Sequence, residues 1–303
     1  MTLYGSVEEL IGETPLLELK HMGYPEGVRV FAKLELSNPA GSVKDRVGMY
    51  MVRDAEEKGI LKKGSTIVEA TAGNTGIGIA LAALNKGYRV IFTVPTKFSE
   101  EKQIIMRALG AEIVNTPKEE GMLAAVAEAE RIRARIPDAI SLEQFENMSN
   151  PRSHFETTGP EIYRDLDGKI NYAVMGAGSG GTFSGVVGYL KSRNPHIQGV
   201  LADPIGSIIG GGEKGEYVIE GIGNDFIAKT MDTSLIDRVY KVSDKDAYEM
   251  CRELARKEGI LAGQSSGAAL VAVKRLAEDV GSGNIVALLP DRGDRYLSKG
   301  LFG

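Results

Sequence analysis

From about Ser65 onward, short runs rich in β-branched residues alternate with longer amphipathic stretches. The predicted strands are 66–69, 89–94, 112–115, 172–175, 198–202 and 284–289. The predicted helices are 75–86, 99–109, 121–136, 182–193, 246–257 and 266–280. Apolar strands that alternate with helices in this way form a parallel sheet that helices cover on both faces. The sequence therefore predicts an α/β fold.

The length of 303 residues predicts two domains, because one domain typically accounts for about 150 residues. The least regular connection in the pattern lies between Leu142 and Pro151, where we expect the chain to pass between domains. A second irregular stretch, Gly206 to Glu220, is rich in glycine and is expected between a strand and a helix as a mobile loop.

Charge and cysteine content exclude several classes of function. The 36 basic and 41 acidic side chains give a net charge of −5, which argues against nucleic acid or an anionic membrane as the main partner. Cys251 is the only cysteine, so an intrachain disulfide and a thiolate metal cage are both excluded. No spacing typical of metal ligands, no secretion signal and no apolar run of membrane-spanning length is found. We therefore expect no metal and a cytoplasmic protein.

A first glycine cluster, 176–182, directly follows the predicted strand 172–175 and opens a helix. Successive backbone N–H groups at a helix N-terminus bind phosphate, and glycine leaves them unobstructed. The same segment satisfies the dinucleotide pattern G-x-G-x-x-G, and Asp203 ends the next predicted strand, so a nicotinamide site is an alternative. A tight turn without a ligand is the third interpretation. The pattern favours an anion but does not identify it.

A second cluster, 263–267, matches the pattern G-x-S-x-G of a hydrolase nucleophile elbow. The catalytic triad of that fold needs a histidine downstream of the serine, and the last histidine of this chain is His196. The sequence therefore argues against an esterase, and Ser265 is either a serine at a helix start or has another role.

A third cluster, 71–76, also lies between a predicted strand and a predicted helix. Its backbone donors and short polar side chains suit a carboxylate or a phenolic oxygen. Turns made of Thr, Asn and Gly are common, so this pattern alone is weak.

Lys44 lies at the predicted start of a helix, two residues after Ser42. The ordinary interpretation is a surface lysine in the first turn of a helix that Ser42 caps. A cation is unfavourable at a helix N-terminus, however, because of the helix dipole. The same field lowers the pKa of an amine, which would suit a lysine that forms a Schiff base. Lys44 is therefore a candidate for covalent catalysis.

Together these segments resemble the pyridoxal-phosphate (PLP) enzymes of the cysteine synthase and cystathionine β-synthase family. The resemblance extends from Ile11-Gly12-Glu13-Thr14-Pro15-Leu16 to Leu289-Pro290-Asp291, with the motifs in the order and spacing of the family. It implies a two-domain fold type II PLP enzyme, similar to the tryptophan synthase β-subunit, in which helices flank a mostly parallel sheet in each domain. The implied smaller domain is 39–149, the larger is 1–38 plus 150–303, and the cofactor lies in the cleft between them. One ligand then accounts for the lysine and for all three glycine clusters.

The resemblance also implies the roles of individual residues. Lys44 would bind the cofactor covalently and act as the catalytic base, and Ser265 would face the pyridine nitrogen. Asn74 would bond the 3′-oxygen. The residues implied for the 5′-phosphate are Gly178, Ser179, Gly180, Gly181 and Thr182. The residues implied for the substrate carboxylate are Thr71, Ala72, Gly73, Thr75 and Gln144. The family usually has serine where this chain has Ala72, so one hydroxyl donor of that loop is missing.

Three further segments, 109–117, 203–208 and 220–226, look more like cystathionine β-synthases than sulfhydrylases. The implied activity is β-replacement on O-acetylserine or serine with homocysteine, which forms cystathionine and belongs to transsulfuration and cysteine biosynthesis. A cysteine synthase that uses sulfide is the alternative within the family. A catalytically inactive relative that acts as a regulatory partner is a further alternative, and an NAD-dependent oxidoreductase is the alternative outside the family. The family also implies small-molecule substrates and a homodimer.

Overall fold

The computed structural model describes residues 3–71, 73–96 and 98–303. The strands within these residues are β1 Leu16–Glu18, β2 Val28–Leu34, β3 Thr66–Ala70, β4 Arg89–Pro95, β5 Glu112–Thr116, β6 Ala139–Ile140, β7 Tyr172–Met175, β8 Gln198–Pro204, β9 Arg238–Val242 and β10 Gly283–Leu289. The helices are α1 Lys44–Glu57, α2 Asn74–Ala83, α3 Glu100–Ala108, α4 Gly121–Arg135, α5 Ser149–Ser153, α6 Gly159–Asp165, α7 Gly181–Arg193, α8 Asp244–Glu258 and α9 Gln264–Val280. Every predicted strand and helix is present, with ends within three residues of the predicted ones. The α/β prediction is therefore confirmed.

A six-stranded sheet has the strand order β1-β2-β10-β7-β8-β9, and every pairing in it is parallel except that of β1 with β2. Side chains of its central strand alternate between two cores, as the pleat requires. On β10, Ile285 and Ala287 contribute to the core that α8 and α9 cover, whereas Val286 and Leu288 contribute to the core that α7 covers. Both faces of this sheet are thus buried, which explains the nearly continuous apolar runs in its sequence.

A four-stranded parallel sheet has the order β5-β4-β3-β6. One face packs against α1 and α2, with Ile67 and Phe92 fully buried there. The other face, with Val68 and Ile91, packs against Ala129 of α4. Its strands all lie inside the stretch 39–149 proposed for the smaller domain. The domain boundaries themselves stay a prediction.

Four strands, β1, β2, β6 and β9, were not predicted from the sequence. The run of β2 contains Arg29 and Lys33, so it does not have the apolar pattern of a buried strand. Lys33 is nonetheless fully buried, because it forms an ion pair with Glu161 at 2.7 Å. After the glycine-rich stretch that follows β8, a three-residue 3-10 helix, Thr233–Leu235, and then β9 precede α8, so the expected direct connection to an α-helix is corrected. The mobility of the glycine-rich stretch stays a prediction.

The strand order determines where the loops meet. Strands β7 and β10 are neighbours, so the segments that follow them, 176–182 and 290–293, lie side by side at the carboxyl edge of the large sheet. Strands β3 and β6 are neighbours in the same way, which brings 71–75 next to 141–144. Ligands of open α/β sheets bind at such edges. In the ranges that the structure describes, no helix is both long and apolar enough to cross a bilayer.

Candidate active site

The segment 290–293 connects two of the predicted site regions. On one side, the N–H of Val43, next to Lys44, donates to the carbonyl of Pro290 at 2.8 Å. On the other side, the N–H of Gly263, at the start of the Ser265 turn, donates to the carbonyl of Asp291 at 3.0 Å. Backbone hydrogen bonds therefore place the two turns on opposite sides of one short extended segment.

Lys44 is the first residue of α1 and is half-buried, so it is not the freely exposed lysine of the ordinary interpretation. Its Nζ has no hydrogen bond or ion pair with the described residues. Burial lowers the pKa of this amine, although Asp291 and Glu35 act in the opposite direction. The expected direction is found, and its main cause is burial. Ser42 does not cap the helix in the expected manner, because Val43 is the N-cap and the Ser42 hydroxyl accepts from the Lys44 N–H at 3.2 Å.

Helix α2 packs closely against the first turn of α1. A Cβ added to Gly78 would lie 2.2 Å from the Lys44 carbonyl oxygen, and one added to Gly48 would lie 2.2 Å from the Gly78 carbonyl carbon. Only glycine permits this approach at the two positions. The helix that begins with Asn74 is thereby held directly against the lysine turn. The two glycines inside predicted helices were the signal in the sequence for this contact.

A buried ion network anchors α1 to the large sheet. The Arg46 guanidinium binds both Glu35, through Nε at 2.8 Å, and Glu161, through Nη1 at 2.6 Å. All three side chains are at most 5% exposed. Burial alone would raise the pKa of Glu35, but Arg46, Thr14 and Lys33 outweigh it and lower the pKa to about 2. Arg46 lies two residues after Lys44, so this network connects the helix of the lysine to the large sheet.

The expected carboxylate residues are brought together at the carboxyl edge of the small sheet. The Thr75 hydroxyl donates to Gln144 Oε1 at 2.5 Å, and the Nε2 donors of Gln144 have no acceptor among the described residues. Gly73 is the N-cap of α2, and no side chain caps this helix. Thr71 immediately follows β3 and is buried. The helix N-terminus, the threonines and the glutamine thus form a group of donors suited to a carboxylate. Ala72 lies outside the described residues.

Glu69, which was not predicted as a site residue, holds the turn that carries Gln144. Its carboxylate accepts from the Ser141 hydroxyl at 2.6 Å and from the N–H groups of Leu142 and Glu143 at 3.0 and 3.1 Å. Burial raises the pKa of Glu69 despite these hydrogen bonds. A buried charged residue in an apolar strand run was its only signal in the sequence.

The segment 178–182 has the free backbone N–H donors that were predicted for it. Gly180 adopts a left-handed conformation with φ 81° as the N-cap of α7, and no side chain caps the helix. Among the described residues, the backbone N–H groups of 178–182 have no acceptor. Several free N–H groups at the start of a 13-residue helix form an anion site.

The glycines of this segment serve a different purpose from the expected one. A Cβ added at Gly176, Gly178, Gly180 or Gly181 would meet other protein atoms at 2.1–2.5 Å, namely those of Ile222, Gly221, Met231 and Asn150. The missing side chains therefore allow the loop to pack against the protein behind it, rather than clearing the way for a ligand. The free N–H groups are a separate consequence of the helix start.

Buried polar side chains connect this loop to the carboxylate region. Asn150 Nδ2 donates to the Ser179 hydroxyl at 2.9 Å and to the Gln144 carbonyl at 2.8 Å. Thr182 Oγ1 lies 3.2 Å from His154 Nε2. Burial lowers the pKa of His154 to about 3, so this imidazole is neutral at physiological pH. Asn150 and His154 follow the irregular connection after β6 and had no local motif.

Ser265 is the second residue of α9 and is 4% exposed. Gly263 is the N-cap of that helix, so Ser265 does not act as the capping serine of the ordinary interpretation. Its hydroxyl has no hydrogen-bond partner among the described residues. A hydroxyl without a partner at a helix start is available to a ligand.

A family model for pyridoxal-phosphate-dependent enzymes matches residues 7–291. The chain belongs to this family. It is a PLP-dependent enzyme of the cystathionine β-synthase and cysteine synthase type. The nicotinamide alternative for the 176–182 segment is therefore wrong.

Known relatives resemble the chain over its whole length. It is 49% identical to the O-acetylserine-dependent cystathionine β-synthase of Bacillus subtilis, with 100% of this chain and 99% of the relative covered. It is 43% identical to a cysteine synthase of Helicobacter pylori, with 100% of each chain covered. The crystal structure of an O-acetylserine-dependent cystathionine β-synthase from Helicobacter pylori superposes with a TM-score of 0.94 at 43% identity, again with 100% of each chain covered.

The residues present fit PLP. The free N–H groups of 178–182 would hold the phosphate, the unpaired amine of Lys44 would bind the aldehyde carbon, and the unpaired hydroxyl of Ser265 would contact the ring nitrogen. Hydrogen bonds connect the Lys44 and Ser265 segments through residues 290–291, and they connect the 178–182 segment to Gln144 through Asn150. These individual roles stay predictions.

Proposed function

We propose that the protein catalyses β-replacement on O-acetylserine, with homocysteine as the thiol, and releases cystathionine and acetate. The observation that carries this proposal is the half-buried Lys44 amine with its lowered pKa, held beside the Asn74 and Ser265 segments. The B. subtilis relative, named for this activity, supports the choice of substrates.

The protein side chains have distinct tasks in this reaction. The donors of Thr71, Gly73, Thr75 and Gln144 bind the substrate carboxylate and orient Cα. Lys44, whose pKa burial lowers, removes the Cα proton, and the acetate leaves from Cβ as the C–O bond breaks. The thiol sulfur then bonds to Cβ, and Lys44 returns a proton to Cα. PLP, when bound, supplies the electron sink that makes the Cα proton acidic.

A sulfide-using cysteine synthase is the second candidate, because the H. pylori relative at 43% identity has that name. The deciding assay compares the purified protein on O-acetylserine with homocysteine and with sulfide, and repeats both with serine. We expect a higher kcat/KM with homocysteine than with sulfide. A rate with homocysteine far below that with sulfide would instead assign the second candidate. PLP binding without turnover of any acyl-serine would identify an inactive relative.

Ser265 provides a neutral partner for the ring nitrogen. A carboxylate there would keep the nitrogen protonated and strengthen the electron sink, whereas a hydroxyl makes a weaker sink that favours prompt loss of the β-substituent. Ser265→Asp should therefore retain the cofactor absorbance but lower kcat for β-replacement by roughly tenfold or more, about the effect of one charge-assisted hydrogen bond.

The neighbouring Ser266 offers a matched control. It is fully buried, and its hydroxyl has no partner among the described residues, so Ser266→Ala removes no hydrogen bond. This control should keep the wild-type kcat. Unchanged turnover in Ser265→Asp would contradict the role assigned to the hydroxyl. The homodimer, the cytoplasmic location and the two-domain boundaries stay predictions alongside this proposal.

A further inference from the structure

The side-chain amide of Asn74 is held from two sides. Its Nδ2 donates to Asp291 Oδ2 at 2.7 Å, and its Oδ1 accepts from the guanidinium of Arg295. Arg295 also donates to the carbonyl of Ala40, in the segment that leads to Lys44. Both partners are buried, at 1% exposure for Asp291 and 3% for Arg295.

These two contacts allow only one orientation of the amide. An ionised carboxylate only accepts hydrogen bonds and a guanidinium only donates them. Turning the Asn74 amide over would place its oxygen against the carboxylate and its NH₂ group against the guanidinium. Two favourable contacts would then become two repulsive ones between buried groups. The observed orientation leaves one N–H of Nδ2 for a further acceptor.

Asp291 is itself fixed on both sides. The Tyr296 hydroxyl donates to its Oδ2 at 2.6 Å, and burial together with Asp291 keeps the pKa of that phenol well above its usual value. The phenol therefore remains a donor. Asp291 Oδ1 has no hydrogen-bond partner among the described residues and lies so close to Gly263 that a Cβ there would be 2.1 Å away. The carboxylate is thus wedged between the Asn74 helix and the Ser265 turn.

We propose that Asp291 and Arg295 are positioning residues that hold the Asn74 amide so that it presents a donor, not an acceptor, to the 3′-oxygen of PLP. This inference rests on the proposed cofactor placement by Asn74. It does not depend on which thiol is the second substrate.

The first test is Asp291→Asn. An amide at 291 can donate as well as accept, so the orientation of Asn74 is no longer determined. We expect the visible band of the substrate-free holoenzyme to shift, and PLP to bind the apoprotein at least about tenfold more weakly. The control Tyr296→Phe removes the Tyr296 contacts with Asp291 and Lys102 but keeps the Asp291 carboxylate as the acceptor for Asn74, and it should keep the wild-type band. A wild-type band in Asp291→Asn would overturn the inference.

The exchange variant Asn74→Asp with Asp291→Asn separates orientation from structural support. It keeps the net charge, the amide–carboxylate hydrogen bond and the contact with Arg295, but position 74 then has no N–H to offer. We expect thermal stability near that of the wild type together with the altered band. A restored wild-type band would show that only the pairing matters and would overturn the inference.

Arg295→Met provides an independent measurement if Asp291→Asn fails to fold. It frees the oxygen side of the Asn74 amide and the Ala40 carbonyl but leaves the Asp291 contact in place. The band should again shift, whereas an unshifted band would count against the inference. All these spectra are recorded without substrate. A visible band that survives Lys44→Ala would instead defeat the proposed cofactor site, so the two failures are distinguishable.

Discussion

Lys44→Ala should give a folded protein that lacks the visible absorbance of covalently bound PLP and has almost no β-replacement activity. The Lys44 amine has no hydrogen bond or ion pair with the described residues, and burial disfavours its charge, so its removal does not weaken the fold. The same change removes the group that binds the cofactor and the base that moves the Cα proton. Loss of a positioned base alone lowers kcat by about 10²–10⁴-fold. Absorbance spectroscopy and a cystathionine assay measure the two effects.

Lys245→Ala is the matched control, because that lysine lies near the start of α8 and its side chain is 81% exposed. It should keep both the band and the activity. If the Lys44→Ala protein retained the wild-type band, another residue would bind the cofactor. If it lost the band but kept its turnover, PLP would not be the group that carries the reaction.

Periodicity predicted the strands and helices that bury apolar side chains on regular faces. It failed for β2, where Lys33 is buried because Glu161, more than a hundred residues later, neutralises it. A charged residue in a predicted strand indicates an exposed position, because burying a charge without a partner is costly. The oppositely charged partner that permits burial becomes visible only in the folded structure. The strand β6 was missed for another reason, because its two residues are too few to show a periodic pattern.

The local part of the site was predictable for a similar reason. Segments 71–75, 178–182 and 263–267 each contain the start of a helix, and a helix start leaves backbone donors free. The connections between these segments were not predictable. Asp291 meets Asn74 across 217 positions of sequence, and Asn150 meets Ser179 across 29. No spacing rule covers such pairs, so their roles emerged only from the geometry.

Arg46→Met should cause the largest loss of fold stability among these variants. It leaves the carboxylates of Glu35 and Glu161 buried, with Lys33 as the remaining cation near them. Breaking a buried ion pair by removing one partner costs about 3–5 kcal/mol, because the other charge remains without water. Urea unfolding at pH 8 measures this loss. Since Arg46 lies two residues after Lys44, cofactor retention should fall as well.

The surface pair Arg29–Glu18 provides the control, because its side chains are 59% and 28% exposed. Arg29→Met should cost less than about 1 kcal/mol of folding free energy, since water replaces the lost contact.

The stability loss of Arg46→Met should also depend on pH in a defined direction. In the wild type Arg46 lowers the pKa of Glu35, whereas in Arg46→Met burial acts without it and the folded-state pKa rises above the unfolded value. The folded variant then binds more protons than the unfolded chain, so its deficit should shrink between pH 8 and pH 5. Equal losses in the two variants, or a deficit that does not change with pH, would mean that the network does not anchor α1.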